Sequence, residues 1–344
     1  MNSNSYRDVN VSDGGDLREV LNLIWSGKKE IAITTIILTL VALIYSFYAK
    51  QWWSSTAYIT ETNYQTFSPV RIEVSNLAAV LGDKKDPELE KMLSPSHALN
   101  LFINEFDSYD NKVSFIESSN LVKNIFIKDK IEYTQKNIEE WTKYINVKKI
   151  DNAKQQYKLS FLANTSKDSY KLLTDYISYI QGISNQEITH TIKSIITNYT
   201  VDYNSKIELA KNNVVNKINL EKEKTQYALM IAKAADVRKP ISELNSNNQM
   251  FPIDIGISGL TEQEKVLGNI KNYAVFDPNL KLMLNALDLL KKIKITNNNL
   301  ELIKYNKKPS EPVSREAPKR SLIVILGIFL GFVFGSTFVI FRKK

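Results

Sequence analysis

No cysteine occurs among the 344 residues. Disulfide frameworks, thiolate nucleophiles and cysteine-held metals are therefore excluded, and the chain suits an oxidising compartment without requiring one. Histidine is nearly as scarce: His97 and His190 stand far apart, neither with a second histidine at ligand spacing, so no histidine-based zinc or iron site is expected. None of the eleven glycines builds GxxxxGK followed by Ser or Thr, or GxGxxG, which removes the phosphate-cradling loop and the dinucleotide turn. A GxSxG nucleophile elbow is also missing. Neighbouring carboxylates such as Glu139 and Glu140 sit in a polar helical stretch and read as a solvated face. The expectation is a protein without catalytic constellation, metal or cofactor.

The net charge of +8 does not point to nucleic acid, because of where the excess lies. Residues 50–320 hold 38 Lys and Arg against 32 Asp and Glu, and residues 304–320 alone hold six basic residues against two acidic ones. A phosphate-tracking face would spread its cations, whereas this is a local collar on a nearly neutral domain.

Apolar residues are concentrated in two runs. Ile31–Ala49 and Leu322–Phe341 carry no charge over 19 and 20 residues, each long enough to cross about 30 Å of hydrocarbon as a helix. Fifteen of the twenty residues in the second run are Leu, Ile, Val or Phe, a composition that favours insertion and that a soluble domain has no use for. The first run is too long, too far from the N-terminus and too poor in small residues at Phe47 and Ala49 for a cleaved signal. Two spans put both termini on one side and residues 50–320 on the other. Lys and Arg near the spans number six on the terminal side and seven on the loop side, but long loops cross largely regardless of charge, so the short termini are expected in the cytoplasm.

Residues 1–15 read as a disordered tail. Leu17, Val20, Leu21, Ile24 and Trp25 then make a helical stripe ending at Lys28 and Lys29, suited to the headgroup layer or to a simple extension of the span. Trp52 and Trp53 follow the first span where an aromatic belt belongs. Strand patterns occur at 54–63, 144–150, 156–163 and 300–306; both ends of the exported chain supply one, so a sheet near the membrane would close it. Helices are expected at about 96–107, 110–126, 134–144, 261–273 and 278–295.

From about 167 to 237 there is no proline and a single glycine, Gly182. Ile188, Ile192, Ile195, Tyr199, Tyr203, Ile207, Ala210, Val214 and Ile218 step by three or four, the mark of one long helix or of two broken near Gly182. A helix of that length reaches on the order of 100 Å. Its single stripe needs cover, which the length suggests as a coiled coil or a wall between molecules. The dipeptide Lys239-Pro240 is expected to end it.

Gly327, Gly331 and Gly335 fall four apart in the second span and define one face on which another helix can approach, whether the first span, a neighbouring subunit or a different membrane protein. Upstream, Pro309, Pro312 and Pro318 restrict the backbone to a semi-rigid connection that ends in Lys319 and Arg320.

"DLREVLNLIWSGKKEI", "WWSSTA" and "PSEPVSREAPKRSLIVILGIFLGFVFG" together resemble the Wzz-type chain-length determinants of bacterial surface polysaccharides, the polysaccharide co-polymerases. The likeness is close at both membrane ends and holds only in outline between them; Ala317 stands where the family often has a small polar residue or glycine. The resemblance implies an α+β membrane protein of the bacterial inner membrane: a cytoplasmic tail 1–30, transmembrane helices at 31–49 and 321–341, and a periplasmic α/β base within 50–320 from which a very long helix protrudes. It further implies a ring of several copies, the O-antigen polymerase as partner, contact with the growing polysaccharide, and a role in setting the length of O-antigen before transfer to the ligase. A relative acting on capsule or enterobacterial common antigen would share these features. A tyrosine autokinase would need a nucleotide loop after the second span, where only Arg342, Lys343 and Lys344 are expected, and a two-span sensor would need a cytoplasmic signalling domain.

Overall fold

The computed structural model describes residue 22 and residues 24–82, 84–151, 155–241, 250–296 and 299–343. The tail 1–15 and the stripe residues Leu17, Val20 and Leu21 lie outside them. The chain begins its described elements with helix α1 (Lys28–Tyr48) and strand β1 (Trp53–Glu61), then runs through short helices α2 (Ser68–Glu73), α3 (Ser75–Leu81) and α4 (Pro87–Met92). Helices α5 (Pro95–Asp107), α6 (Tyr109–Ser118), α7 (Asn120–Lys128) and α8 (Gln135–Thr142) precede β2 (Ile145–Asp151) and β3 (Gln156–Ala163). After the 69-residue α9 (Ser166–Ala234) come α10 (Gly256–Gly268), α11 (Pro278–Lys291), β4 (Ile303–Lys307) and α12 (Arg320–Lys343). The fold is mostly helical with one small sheet, apolar helices near both ends and one very long helix. Two compact units divide it: the described residues of Met1–Thr60, Ile103–Ile180 and Ile303–Lys344 form one, and those of Glu61–Phe102 and Gln181–Leu302 the other.

In the first unit the sheet has the order β2-β3-β1-β4, so the first and last strands of the chain lie side by side. β1 pairs antiparallel with β3 from Trp53↔Ala163 to Ile59↔Tyr157. Alternation then turns Ser55, Ala57 and Ile59 to the same buried face as Leu159, Phe161 and Ala163. Phe115, on α6, and Tyr176, on α9, meet Phe161 of that face edge-on, with ring centroids 6.3 and 6.4 Å away. The single helix expected over 110–126 is two, because Ser119 takes an extended backbone and its hydroxyl accepts from Val122 N–H, capping α7. Ser108 and Thr134 cap α6 and α8 in the same way.

The second unit contains the greater part of α9, from Gln181 onward. Its stripe is not left for another molecule, contrary to the expectation from length. Ile188, Ile192 and Ile195 are buried with Phe67, Leu77, Leu93 and Leu302; Ile207 and Ala210 pack with Leu280 and Leu287 of α11; Ala228 and Ala232 pack with Leu260 of α10. Sequence reading missed this because part of the cover comes from short, weakly periodic segments, α2 to α4 among them, and because the period of α10 and α11 does not name the helix they pack against. β4 begins at Ile303 rather than 300 because Leu300 and Leu302 belong to this core.

α9 is continuous through Gly182, and it ends before Lys239-Pro240. Asp236 adopts φ 50°, Asp236 N–H donates to the Lys233 carbonyl and Val237 N–H to that of Ala232, a Schellman closure with aspartate in the place glycine usually takes. α10 likewise starts at Gly256, earlier than expected: φ is 70° there, and a Cβ would stand 2.9 Å from the Lys239 carbonyl carbon. At Gly182 a Cβ would meet nothing within 4 Å. Gly182→Ala is therefore expected to stabilise the chain by about 0.5–1 kcal/mol, seen as a higher thermal midpoint with unchanged helix content.

α1 and α12 are long and apolar enough to cross a membrane, and only 11% and 22% of their apolar windows are buried in the protein. A core helix of a soluble domain would be covered; these two present Ile33, Ile36, Leu40, Phe329, Phe332 and Phe334 outward.

Candidate functional site

The helix pair is built on the glycine ladder. A Cβ on Gly335 would stand 3.0 Å from Ile31 Cα, one on Gly331 2.6 Å from Thr35 Cα, and one on Gly327 2.6 Å from Ala42 Cβ. The numbers rise along α1 as they fall along α12, so the helices run antiparallel and the facing helix is the first span of the same chain. The backbones come this close because α1 hides its own polar groups: Thr35 Oγ1 donates to the Ile31 carbonyl at 2.7 Å and Thr39 Oγ1 to the Thr35 carbonyl at 2.7 Å. Contact of this kind supplies packing and weak Cα–H···O interactions where lipid removes the hydrophobic drive between helices. Gly27, which sequence reading did not single out, extends the ladder, since a Cβ there would collide with the Val339 side chain. Its signal was present in the spacing Gly27, Ile31, Thr35. At that end Arg342 pairs with Glu30 at 3.1 Å, an exposed pair worth about 0–1 kcal/mol.

The predicted anchors divide between the two ends. Trp25 is 74% exposed with Lys28 Nζ 5.7 Å from its ring, and Lys28 and Lys29 are exposed. Trp52 lies 4.4 Å from the Tyr144 ring, with Lys50 Nζ 5.2 Å from its own; Trp53 opens β1 opposite Ala163.

Pro309, Pro312 and Pro318 lie in the segment between β4 and α12, and hydrogen bonds tie that segment down in addition to its prolines. Ser55 Oγ donates to the Ser310 carbonyl at 2.9 Å, and Ser166 Oγ, at the first residue of α9, donates to the Pro312 carbonyl at 2.7 Å. Trp52 N–H donates to the Ala317 carbonyl and Glu316 N–H to the Trp52 carbonyl, both at 2.9 Å. Lys319 is exposed, while the Arg320 guanidinium stacks 4.3 Å from the Phe47 ring centroid. The collar thus connects the start of α12 to the sheet and to the foot of the long helix. Ser55 and Ser166 were not legible as its fasteners, since a serine's distant partner leaves no mark in a single sequence. Among the described residues no group of three or more His, Asp or Glu could hold a metal ion.

Residues 14–117 match the family model described as "Chain length determinant protein", and residues 276–344 match "G-rich domain on putative tyrosine kinase". The chain carries a chain-length-determinant domain. The domain holds α1, the first strand and the helices up to α6; the second match holds α11, β4, the collar and α12. Relatives extend over the whole chain. The Ferric enterobactin transport protein FepE of Escherichia coli K12 is 23% identical over 92% of this chain and 85% of its own. The Chain length determinant protein of Salmonella typhimurium is 24% identical over 98% and 96%, and the ECA polysaccharide chain length modulation protein of the same organism 22% over 98% and 97%. The fold is that of a full-length bacterial polysaccharide co-polymerase, with a TM-score of 0.64 at 20% identity over 95% of this chain and 97% of that one.

Proposed function

We propose that the chain regulates O-antigen length as an inner-membrane scaffold of several copies, with both termini in the cytoplasm and residues 50–320 in the periplasm. It biases the O-antigen polymerase between another elongation step and release to the ligase, and makes or breaks no covalent bond itself. The observation that carries this reading is the end-to-end likeness to the Salmonella chain length determinant on a co-polymerase fold. Gly327, Gly331 and Gly335 lock the two spans into one unit whose outer surface is left for the polymerase. The collar of Pro309, Pro312, Pro318, Lys319 and Arg320 holds the periplasmic part at a set height, and Trp25, Lys28 and Lys29 at one interface and Trp52 and Trp53 at the other fix depth. Assembly of copies is supported by α9: Leu209, Leu220, Tyr227 and Ile231 are exposed and fall within about 40° of one another at 100° per residue, an apolar line beside the covered stripe.

A second reading has the same device acting on enterobacterial common antigen, and a third has it acting in ferric enterobactin transport, as two of the relatives are named. Deletion in the native host separates them. The proposal expects the lipopolysaccharide ladder to lose its modal band while polymer is still made. Complete loss of polymer would point to a synthase instead. An unchanged ladder with altered common-antigen lengths favours the second reading, and an unchanged ladder with slowed ferric enterobactin uptake the third.

A further inference from the structure

Two guanidinium atoms in the collar, Arg315 Nη1 and Arg320 Nε, are buried without a hydrogen-bond partner among the described residues. Arginine cannot shed its charge to relieve this, and a buried donor left unmet is costly, the more so when charged. We propose that these arginines hold the phosphate of a membrane lipid headgroup at the end of the helix pair away from the termini, an inference that rests on the two-span reading.

Position and charge argue for it. The strip 315–320 runs beside residues 47–52: Glu316 and Ala317 exchange backbone hydrogen bonds with Trp52, and the Arg320 guanidinium lies on Phe47. Phe47 is next to the last residue of α1 and Arg320 the first of α12, so both sit where hydrocarbon gives way to headgroups. The two segments carry Lys50, Arg315, Lys319 and Arg320 against one acid, Glu316, which is exposed; nearby Asp129 is engaged by Lys50 at 3.2 Å. Arginine's planar fork matches phosphate oxygens, and the positive end of the α12 dipole lies at the same point. Phosphate is the anionic acceptor that lipid supplies at that depth.

The full chain, purified in a maltoside detergent that has no phosphate, is titrated with phosphatidylglycerol or with a diglucosyl lipid of the same acyl chains, and bound lipids are counted by native mass spectrometry. Phosphatidylglycerol is expected to bind at least tenfold more tightly than the glucolipid, and to lose that advantage in Arg315→Gln/Arg320→Gln. Arg315→Lys/Arg320→Lys, which keeps charge without the fork, should lose at least threefold and decides the matter where the glutamine pair does not fold. Lys304→Gln, an exposed cation on β4, should change nothing. Equal binding of the two lipids, or wild-type binding by the folded arginine variants, overturns the site. Displacement of bound lipid by millimolar inorganic phosphate overturns the lipid as source. A wild-type chain that fails to float with phospholipid vesicles refutes the two-span reading instead.

Discussion

Leucine in place of Gly331 is expected to drive α1 and α12 apart and erase the modal band of the lipopolysaccharide ladder. Even the Cβ of alanine would stand 2.6 Å from Thr35 Cα and 3.2 Å from the Thr35 carbonyl oxygen, and backbone cannot rotate away as a side chain can. Overpacking of this kind costs about 1–3 kcal/mol in a soluble core. Between spans the loss weighs more, because packing is most of what holds them together. Gly327 makes an internal control: its obstacle is the Ala42 methyl at 2.6 Å, so Gly327→Ala should be relieved by Ala42→Gly, while nothing on Thr35 can relieve Gly331→Ala. Gly335→Ala, at 3.0 Å from Ile31 Cα, should be milder. The chain lacks cysteine, so disulfide trapping between single cysteines placed on α1 and α12 reads the separation directly. Undiminished trapping together with an unaltered ladder in Gly331→Leu would remove the helix pair from the mechanism.

Features with a period were legible in the sequence. Gly327, Gly331 and Gly335 repeat every four residues, β3 alternates over Tyr157, Leu159, Phe161 and Ala163, and the α9 stripe repeats from Ile188 to Ile218; each is visible because regular backbone repeats its neighbours. What faces them was not. The ladder's partner was open among three candidates until Thr35 and Ile31 were placed against it, and the stripe was assigned to another molecule although Phe67, Leu77, Leu260 and Leu287 of the same chain cover it. Phe67 and Leu77 lie on short segments, where two or three apolar positions cannot establish a period, while Leu260 and Leu287 lie on longer helices whose period does not say which helix they pack against. Stops were misread for a related reason. Lys239-Pro240 is a strong local signal, but Asp236 ends α9 earlier by a left-handed backbone geometry that few non-glycine residues adopt, and that even aspartate, though several-fold enriched there, adopts too seldom to be read from the sequence.

Tyr176 is the position in the first unit where a truncation should do most damage. Its side chain is fully buried, its ring lies 4.8 Å from Phe106 and 4.9 Å from Phe115, both edge-on, and its hydroxyl donates to the Phe106 carbonyl at 2.8 Å. It thus joins the foot of α9 to α5 and α6, and through Phe161 to the sheet. Tyr176→Ala should cost about 3–5 kcal/mol, the usual range for emptying a buried aromatic site, and Tyr176→Phe about 0.5–1.5 kcal/mol for the hydrogen bond alone. Burial pushes the phenol well above its ordinary 10, with Tyr179, Asp107 and Glu105 adding to the shift. The folded chain therefore keeps this proton after the unfolded chain has lost it, so the group's contribution is complete below pH 10 and declines as pH rises beyond it. Thermal midpoints of the full chain between pH 8 and 11 should accordingly fall more steeply for the wild type than for Tyr176→Phe, whose unfolded state has one phenol fewer to ionise. Parallel curves, or an alanine variant that melts with the wild type, would mean that the foot of the long helix is held by something other than this ring.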